Sequence, residues 1–169
     1  RIKCAGADLI LVFGNAEKDD GRDAEAIDLS CVPDRHIDRF LITAEAYNIP
    51  ASLLINKTDL YEAPERERME SLISIYSRIG YPCYPVSVNN KSGIEDLKSK
   101  MQGKITLLSG NSGVGKTSLI NILNPSLNLK TEEISEYHRQ GKHITTFPEM
   151  HSLPFGGHVI DSTVIRGFG

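Results

Sequence analysis

Gly110-Asn111-Ser112-Gly113-Val114-Gly115-Lys116-Thr117 has the spacing G-x-x-x-x-G-K-[ST], preceded by the apolar run Lys104 to Ser109 and followed by Ser118-Leu119-Ile120-Asn121 in helical pattern. Glycines let a loop wrap closely around an anion, so that successive N–H groups and the amino end of the next helix face negative charge. In such a loop Lys116 reaches the β- and γ-phosphates of a nucleotide and the Thr117 hydroxyl holds Mg²⁺. Asn111, Ser112, Gly113, Val114, Gly115 and Ser118 complete the cradle. The alternative, a glycine turn with a chance lysine, fits poorly between a strand pattern and a helix pattern.

A second cluster, Asn56-Lys57-Thr58-Asp59, follows the apolar run Ala51 to Ile55 and has the N-K-x-D form that reads guanine. The Asp59 carboxylate can accept from the adjacent donors on guanine N1 and N2, a pattern adenine does not offer. Asn56 serves O6/N7 and ties loops together, and the Lys57 stem lies along the base. Without the phosphate loop, four such residues would read as a polar cap on the following helix. Ser87-Val88 stands where GTPases carry a serine-alanine pair whose backbone N–H meets guanine O6.

Near the end of the chain, Val159-Ile160 delivers Asp161, placed like the aspartate that holds Mg²⁺ through a water. Thr145 and Thr146 lie upstream in a long polar stretch, where such enzymes keep a threonine that closes over the metal when a γ-phosphate is present. Thr145 is taken as the metal ligand of the two; a solvated loop residue is the alternative.

Several elements must position these residues. Ala7 to Phe13, closed by Gly14, has the branched apolar run of a strand buried on both faces. Gly14 to Cys31 reads as a surface loop. Pro33 and Asp34 open a helix whose face is Ile37, Phe40, Leu41, Ala44 and Tyr47. Then follow a strand Ala51 to Ile55, a helix Glu65 to Ile79 stopped by Gly80, a strand Tyr84 to Ser87, a helix Ile94 to Met101, a strand Lys104 to Ser109 and a helix Lys116 to Leu123. Pro125 to Phe147 is long and polar, and Met150 to Leu153 with His158 to Asp161 form a hairpin around Gly156-Gly157. Alternating strands and helices imply an α/β fold: a mostly parallel sheet, helices on both faces, and ligands at the carboxyl ends of the strands.

At 169 residues, 40% hydrophobic and 24% charged, the chain reads as one soluble domain. It has no apolar run near the roughly 20 residues of a membrane span. A formal charge of -3 gives no global attraction to nucleic acid, so RNA contact needs a local patch. Lys130, His138, Arg139, Lys142 and His143 supply one, with a solvated loop as the alternative. Cys4, Cys31 and Cys83 form neither a C-x-x-C pair nor an even set, which argues against a disulfide framework or a zinc site and for a reducing cytoplasm. Arg1 and the abrupt Gly167-Phe168-Gly169 suggest a piece of a longer protein, expected to be monomeric.

In the common GTPase order the phosphate loop precedes the guanine-reading motif; here the order is reversed, as a circular permutation of a P-loop NTPase domain would make it. From about Ile37 onward the chain resembles the ribosome small-subunit-dependent GTPases (RsgA, also YjeQ or YloQ). The resemblance is carried by Ile37-Asp38-Arg39-Phe40-Leu41, both nucleotide motifs, Glu133-Ile134-Ser135, Gly141-Lys142-His143-Ile144-Thr145-Thr146 and Gly156-Gly157-His158-Val159-Ile160-Asp161. It implies hydrolysis of GTP to GDP with Mg²⁺, stimulated by the small (30S) ribosomal subunit late in its maturation, with rRNA as a partner of the full-length protein. It also implies an RNA-binding OB-type β-barrel before this domain and a zinc module after it, with zinc in that module alone. His143, just before the threonines, is the implied water-positioning group beside the catalytic Lys116. The departure is Asp161-Ser162-Thr163-Val164, where the family has Asp, a small hydroxyl residue, Pro and Gly. Val164 cannot freely adopt glycine-only conformations, so a guanine-nucleotide-binding module with impaired hydrolysis stands as the second reading. A permuted GTPase of the large subunit would lack the His143 and Gly156-Gly157 context, and an ATPase would misuse Asp59.

Overall fold

A computed structural model of the chain describes residues 7–14, 35–110, 113–129 and 149–161. The expected alternation is present as β1 (Leu9–Gly14), α1 (Arg35–Ala46), β2 (Ala51–Ile55), α2 (Ala63–Arg78), β3 (Cys83–Pro85), α3 (Ile94–Met101), β4 (Ile105–Ser109), α4 (Lys116–Leu123), β5 (Glu149–Ser152) and β6 (His158–Asp161). The strands form one sheet in the order β3-β2-β1-β4-β6-β5, parallel except for the antiparallel edge strand β5.

Side chains alternate across this sheet and build two cores. Ile10, Leu53, Ile55 and Leu107 pack with Ile37, Leu41 and Ala44 of α1 and Leu72 and Tyr76 of α2. Leu9, Leu11, Leu54 and Leu108 pack with Ile94, Leu97 and Met101 of α3 and Leu119, Ile120 and Leu123 of α4. The sheet is therefore covered on both faces, which is why its inner strands are apolar without alternation. The chain first winds from β1 to β3 over one face and then from β4 to β6 over the other. The reversal falls between β1 and β4, where a doubly wound sheet opens a crevice at its carboxyl edge. The phosphate loop leaves β4 at that edge.

Several boundaries differ from the sequence reading by a residue or two, and three of the differences have a structural reason. Tyr47 is 53% exposed, not part of the packed face. α1 ends at Ala46, the Tyr47 N–H bonds back to the Ala44 carbonyl and Asn48 takes a φ of 53°, so helical periodicity no longer applies. α2 begins earlier because Glu62 and Glu65 form a reciprocal capping box with Pro64 in the first turn. β3 is shorter and earlier than Tyr84 to Ser87. After Pro85 the Val86 N–H still reaches the Ile55 carbonyl, but the Val86 carbonyl accepts from Thr58 and the Ser87 N–H donates to the Ser92 carbonyl, so Ser87 and Val88 lie in a loop.

The β5–β6 hairpin is closed as expected around Gly156-Gly157, with the Leu153 N–H on the Gly157 carbonyl. Gly157, at φ 94°, packs so tightly that a β-carbon would stand 2.5 Å from the Lys104 carbonyl oxygen. Asn121 of α4 bonds both the N–H and the carbonyl of Leu129, and Asn124, just past the helix, donates to the Ser152 carbonyl at 2.8 Å. The start of the long polar segment is thereby tied to α4 and β5. Pro33 and Asp34, the loop from Asn15, and the basic stretch with Lys130, His138, Arg139, Lys142 and His143 lie outside the described residues.

Candidate nucleotide site

Gly113 and Gly115 both take positive φ, 81° and 98°, so the loop curls before α4 starts at Lys116. Gly115 is the residue before the helix and has no side chain to cap it, which leaves the first-turn N–H groups of α4 to an incoming anion. Lys116 is only 5% exposed, and its Nζ donates to the Gly110 carbonyl at 2.7 Å, across the mouth of the loop. Burial pushes its ammonium below the usual lysine range, and the charge of Asp161 partly opposes that shift. A buried cation beside the uncapped first-turn N–H groups of a helix suits phosphate oxygens. Thr117 and Ser118 follow in the first turn, both half-buried.

In the N-K-x-D cluster, Asn56 directly follows β2 and is 6% exposed. Its Nδ2 donates to the Val114 carbonyl at 3.1 Å, and its Oδ1 accepts from the Val88 N–H at 3.3 Å. One side chain thus joins the phosphate loop to the loop after β3. Lys57 then adopts a left-handed backbone, φ 64°, which turns the chain into the single 3-10 turn Thr58–Leu60. The turn brings Asp59 against the neighbouring loop: the Ser87 hydroxyl donates to Oδ1 at 2.5 Å and the Asn89 amide to Oδ2 at 3.0 Å. Those two hydrogen bonds, Ser87 first, hold the Asp59 carboxyl below the ordinary carboxylate range.

Asp161 closes β6 in register with Leu108 of β4, which sets it beside the strand that carries the phosphate loop. Its charge is felt at Lys116. Among the described residues no group of three or more His, Cys, Asp or Glu could hold a metal by itself. One hydroxyl, Thr117, and one carboxylate, Asp161, are hard oxygen donors that suit Mg²⁺, an ion that keeps waters and takes substrate phosphates as further ligands. The residues present fit such an ion.

A family model described as RsgA GTPase matches residues 25–169. The chain belongs to the RsgA GTPase family. It is 53% identical over 133 residues, 79% of this chain and 43% of the relative, to the small ribosomal subunit biogenesis GTPase RsgA of Phocaeicola vulgatus. The protein of the same name from Bacteroides fragilis is 49% identical over the same share. The chain spans under half the length of these relatives. Among solved structures, YjeQ from Thermotoga maritima superposes with a TM-score of 0.67 at 32% identity, covering 92% of this chain and 47% of that one. YloQ, described as a circularly permuted GTPase, gives 0.62 at 24% identity over 97% and 47% and so bears on the fold. The permuted P-loop architecture of this RsgA-family chain is therefore as the motif order suggested.

Of the residues singled out from the sequence, Asn56, Lys57, Asp59, Ser87, Val88, Gly113, Val114, Gly115, Lys116, Thr117, Ser118 and Asp161 all lie along the carboxyl edge of the sheet. Asn111, Ser112, His143, Thr145, Thr146 and Ser162-Thr163-Val164 lie outside the described residues. Sequence reasoning missed two members. Tyr61, 4% exposed, donates its hydroxyl to the Asn56 carbonyl at 2.8 Å. Asn89 holds Asp59. The polar run Ser87-Val88-Asn89-Asn90 past the strand was the available signal for the second; an aromatic two places past Asp59 gave none for the first.

Proposed function

We propose that this chain is the GTP-binding and GTP-hydrolysing domain of a longer factor that acts in maturation of the small ribosomal subunit. The observation that carries the reading is the Asn56 side chain bonded at once to the phosphate loop and to the Ser87-Val88 loop. That bond pair supports base recognition and phosphate recognition acting as one unit. The names of the relatives support the activity and the ribosomal role.

In this reading Asp59 accepts from guanine N1–H and N2–H, the Val88 side of the loop meets O6, and Lys57 lies along the base. Backbone N–H groups from Asn111 to Thr117 and the amino end of α4 hold the phosphates, and Lys116 neutralises charge that grows on the β–γ bridge. Thr117, Asp161 and, with a γ-phosphate present, Thr145 would hold Mg²⁺, which would supply further charge neutralisation on the phosphates. His143 orients the attacking water. Small-subunit rRNA is the partner of the whole protein, which works as a monomer in the cytoplasm. No helix among the described residues is long and apolar enough to cross a membrane. Phosphate release from GTP, followed with and without purified small ribosomal subunits, tests the proposal. Turnover raised by the subunit supports it; GTP left intact under both conditions overturns it.

A further inference from the structure

The loop between β3 and α3 is tied down far more closely than its exposure suggests. The Ser87 N–H bonds to the Ser92 carbonyl at 3.0 Å, and the Asn90 side chain accepts from the Ser92 N–H at 2.9 Å. Gly93 takes a φ of 71° where a β-carbon would stand 2.5 Å from the Pro85 carbonyl oxygen, so the loop returns tightly to its own strand. Within this loop Asn89 is flanked by two anchored amides. The Val88 N–H is on Asn56 Oδ1, and the Asn90 N–H is on the Ser87 hydroxyl at 3.2 Å.

An exposed asparagine ordinarily faces water and has little to gain from one geometry. Here its backbone is fixed on both sides, and its amide reaches Asp59 Oδ2 at 3.0 Å while Ser87 holds Oδ1. Only the NH₂ group can serve a carboxylate, so the orientation of the amide follows from chemistry. A carboxylate oxygen has two lone pairs. Each Asp59 oxygen can therefore keep its protein donor and still accept one N–H from a purine edge. A carboxylate fixed at one oxygen can rotate about its Cβ–Cγ bond; fixed at both, it cannot.

We propose that Asn89 is a specificity-determining positioning residue, which with Ser87 fixes the plane of the Asp59 carboxylate so that it meets guanine N1–H and N2–H together. The inference rests on the guanine reading of Asp59. Asn89 itself need not touch the nucleotide. Its effect falls on the contact nearest Oδ2, so losing it costs most where both purine donors are present.

The comparison is between GDP and inosine diphosphate, which lacks the 2-amino group and pairs with one carboxylate oxygen. The affinity of each, measured by calorimetric titration of the chain, gives a guanine-to-hypoxanthine ratio. In Asn89→Ala that ratio should fall about three- to tenfold, with GDP weakened and inosine diphosphate nearly unchanged. Asn89→Asp sets a second carboxylate beside Asp59 and should weaken both nucleotides, GDP more. Circular dichroism of both variants should match the parent, since the side chain is exposed. Equal weakening of both ligands in Asn89→Ala, or an unchanged ratio, overturns the proposal. A parent chain that binds GDP no better than ADP would instead overturn the guanine reading, leaving the two failures distinguishable.

Discussion

Asn56 and Gly115 meet so closely that no β-carbon fits between them: one built on Gly115 would collide with the Asn56 Nδ2. The glycine of the phosphate loop is thus required twice, by its φ of 98° and by the side chain of the base-reading motif. The Asn56 loop and the phosphate loop pack directly against one another.

Gly115→Ala should therefore damage both ends at once. A side chain in that backbone region, with the collision added, costs about 1–3 kcal/mol of stability. Chemical denaturation should show that loss, and GDP titration should show binding weakened well beyond it. Stability equal to the parent would mean that the loop relaxes away from Asn56.

Lys116→Met should separate binding from folding. The ammonium is buried and its charged form disfavoured, so an apolar chain of similar length should leave the nucleotide-free protein as stable as the parent or more so. Nucleotide affinity should fall about a hundredfold or more, since the partner of the phosphate charge is gone. Thermal unfolding with and without GDP reads both effects: the parent gains from nucleotide and the variant does not.

The pH dependence of GDP binding follows from Asp59. Its folded pKa is depressed, so its contribution is fully present above the ordinary carboxylate value of about 4 and is lost as pH falls through the folded value. The part of GDP affinity that depends on Asp59 should be flat through neutral pH and decline only in that acid window. Removing the leading cause in Ser87→Ala should move the acid limb upward. An unchanged limb would show that the Ser87 hydroxyl does not hold the carboxylate.

Tyr61→Phe should loosen the base-reading turn from beneath. It strands the Asn56 carbonyl, which accepts the buried phenol at 2.8 Å, and should cost about 1–2 kcal/mol. GDP affinity should drop with stability, measured by the same titration and denaturation pair. Loss of neither would mean that another donor replaces the hydroxyl.

Much of this was legible in the residues because the chemistry is local. The phosphate loop needs its glycines, lysine and threonine contiguous, and β2 needs only an apolar run ending at Asn56, so both could be located without a partner. Helix periodicity found Ile37, Leu41 and Ala44 on the buried side of α1, and failed at Tyr47 where the helix had already ended. What escaped was non-local. Whether β3 ends at Pro85 or at Ser87 depends on where the Thr58 and Ser92 backbones stand, and the roles of Tyr61 and Asn89 depend on hydrogen bonds that spacing alone does not reveal.

The central claim is that Asn56 to Asp59 and Gly110 to Thr117 read one guanine nucleotide together. Labelled GDP titrated into the chain with Mg²⁺, then challenged with unlabelled GTP and with ATP, tests it most directly. Displacement by GTP and none by ATP at the same concentration is the expected result. Equal displacement by both would contradict it, leaving a phosphate site with no reader of the base.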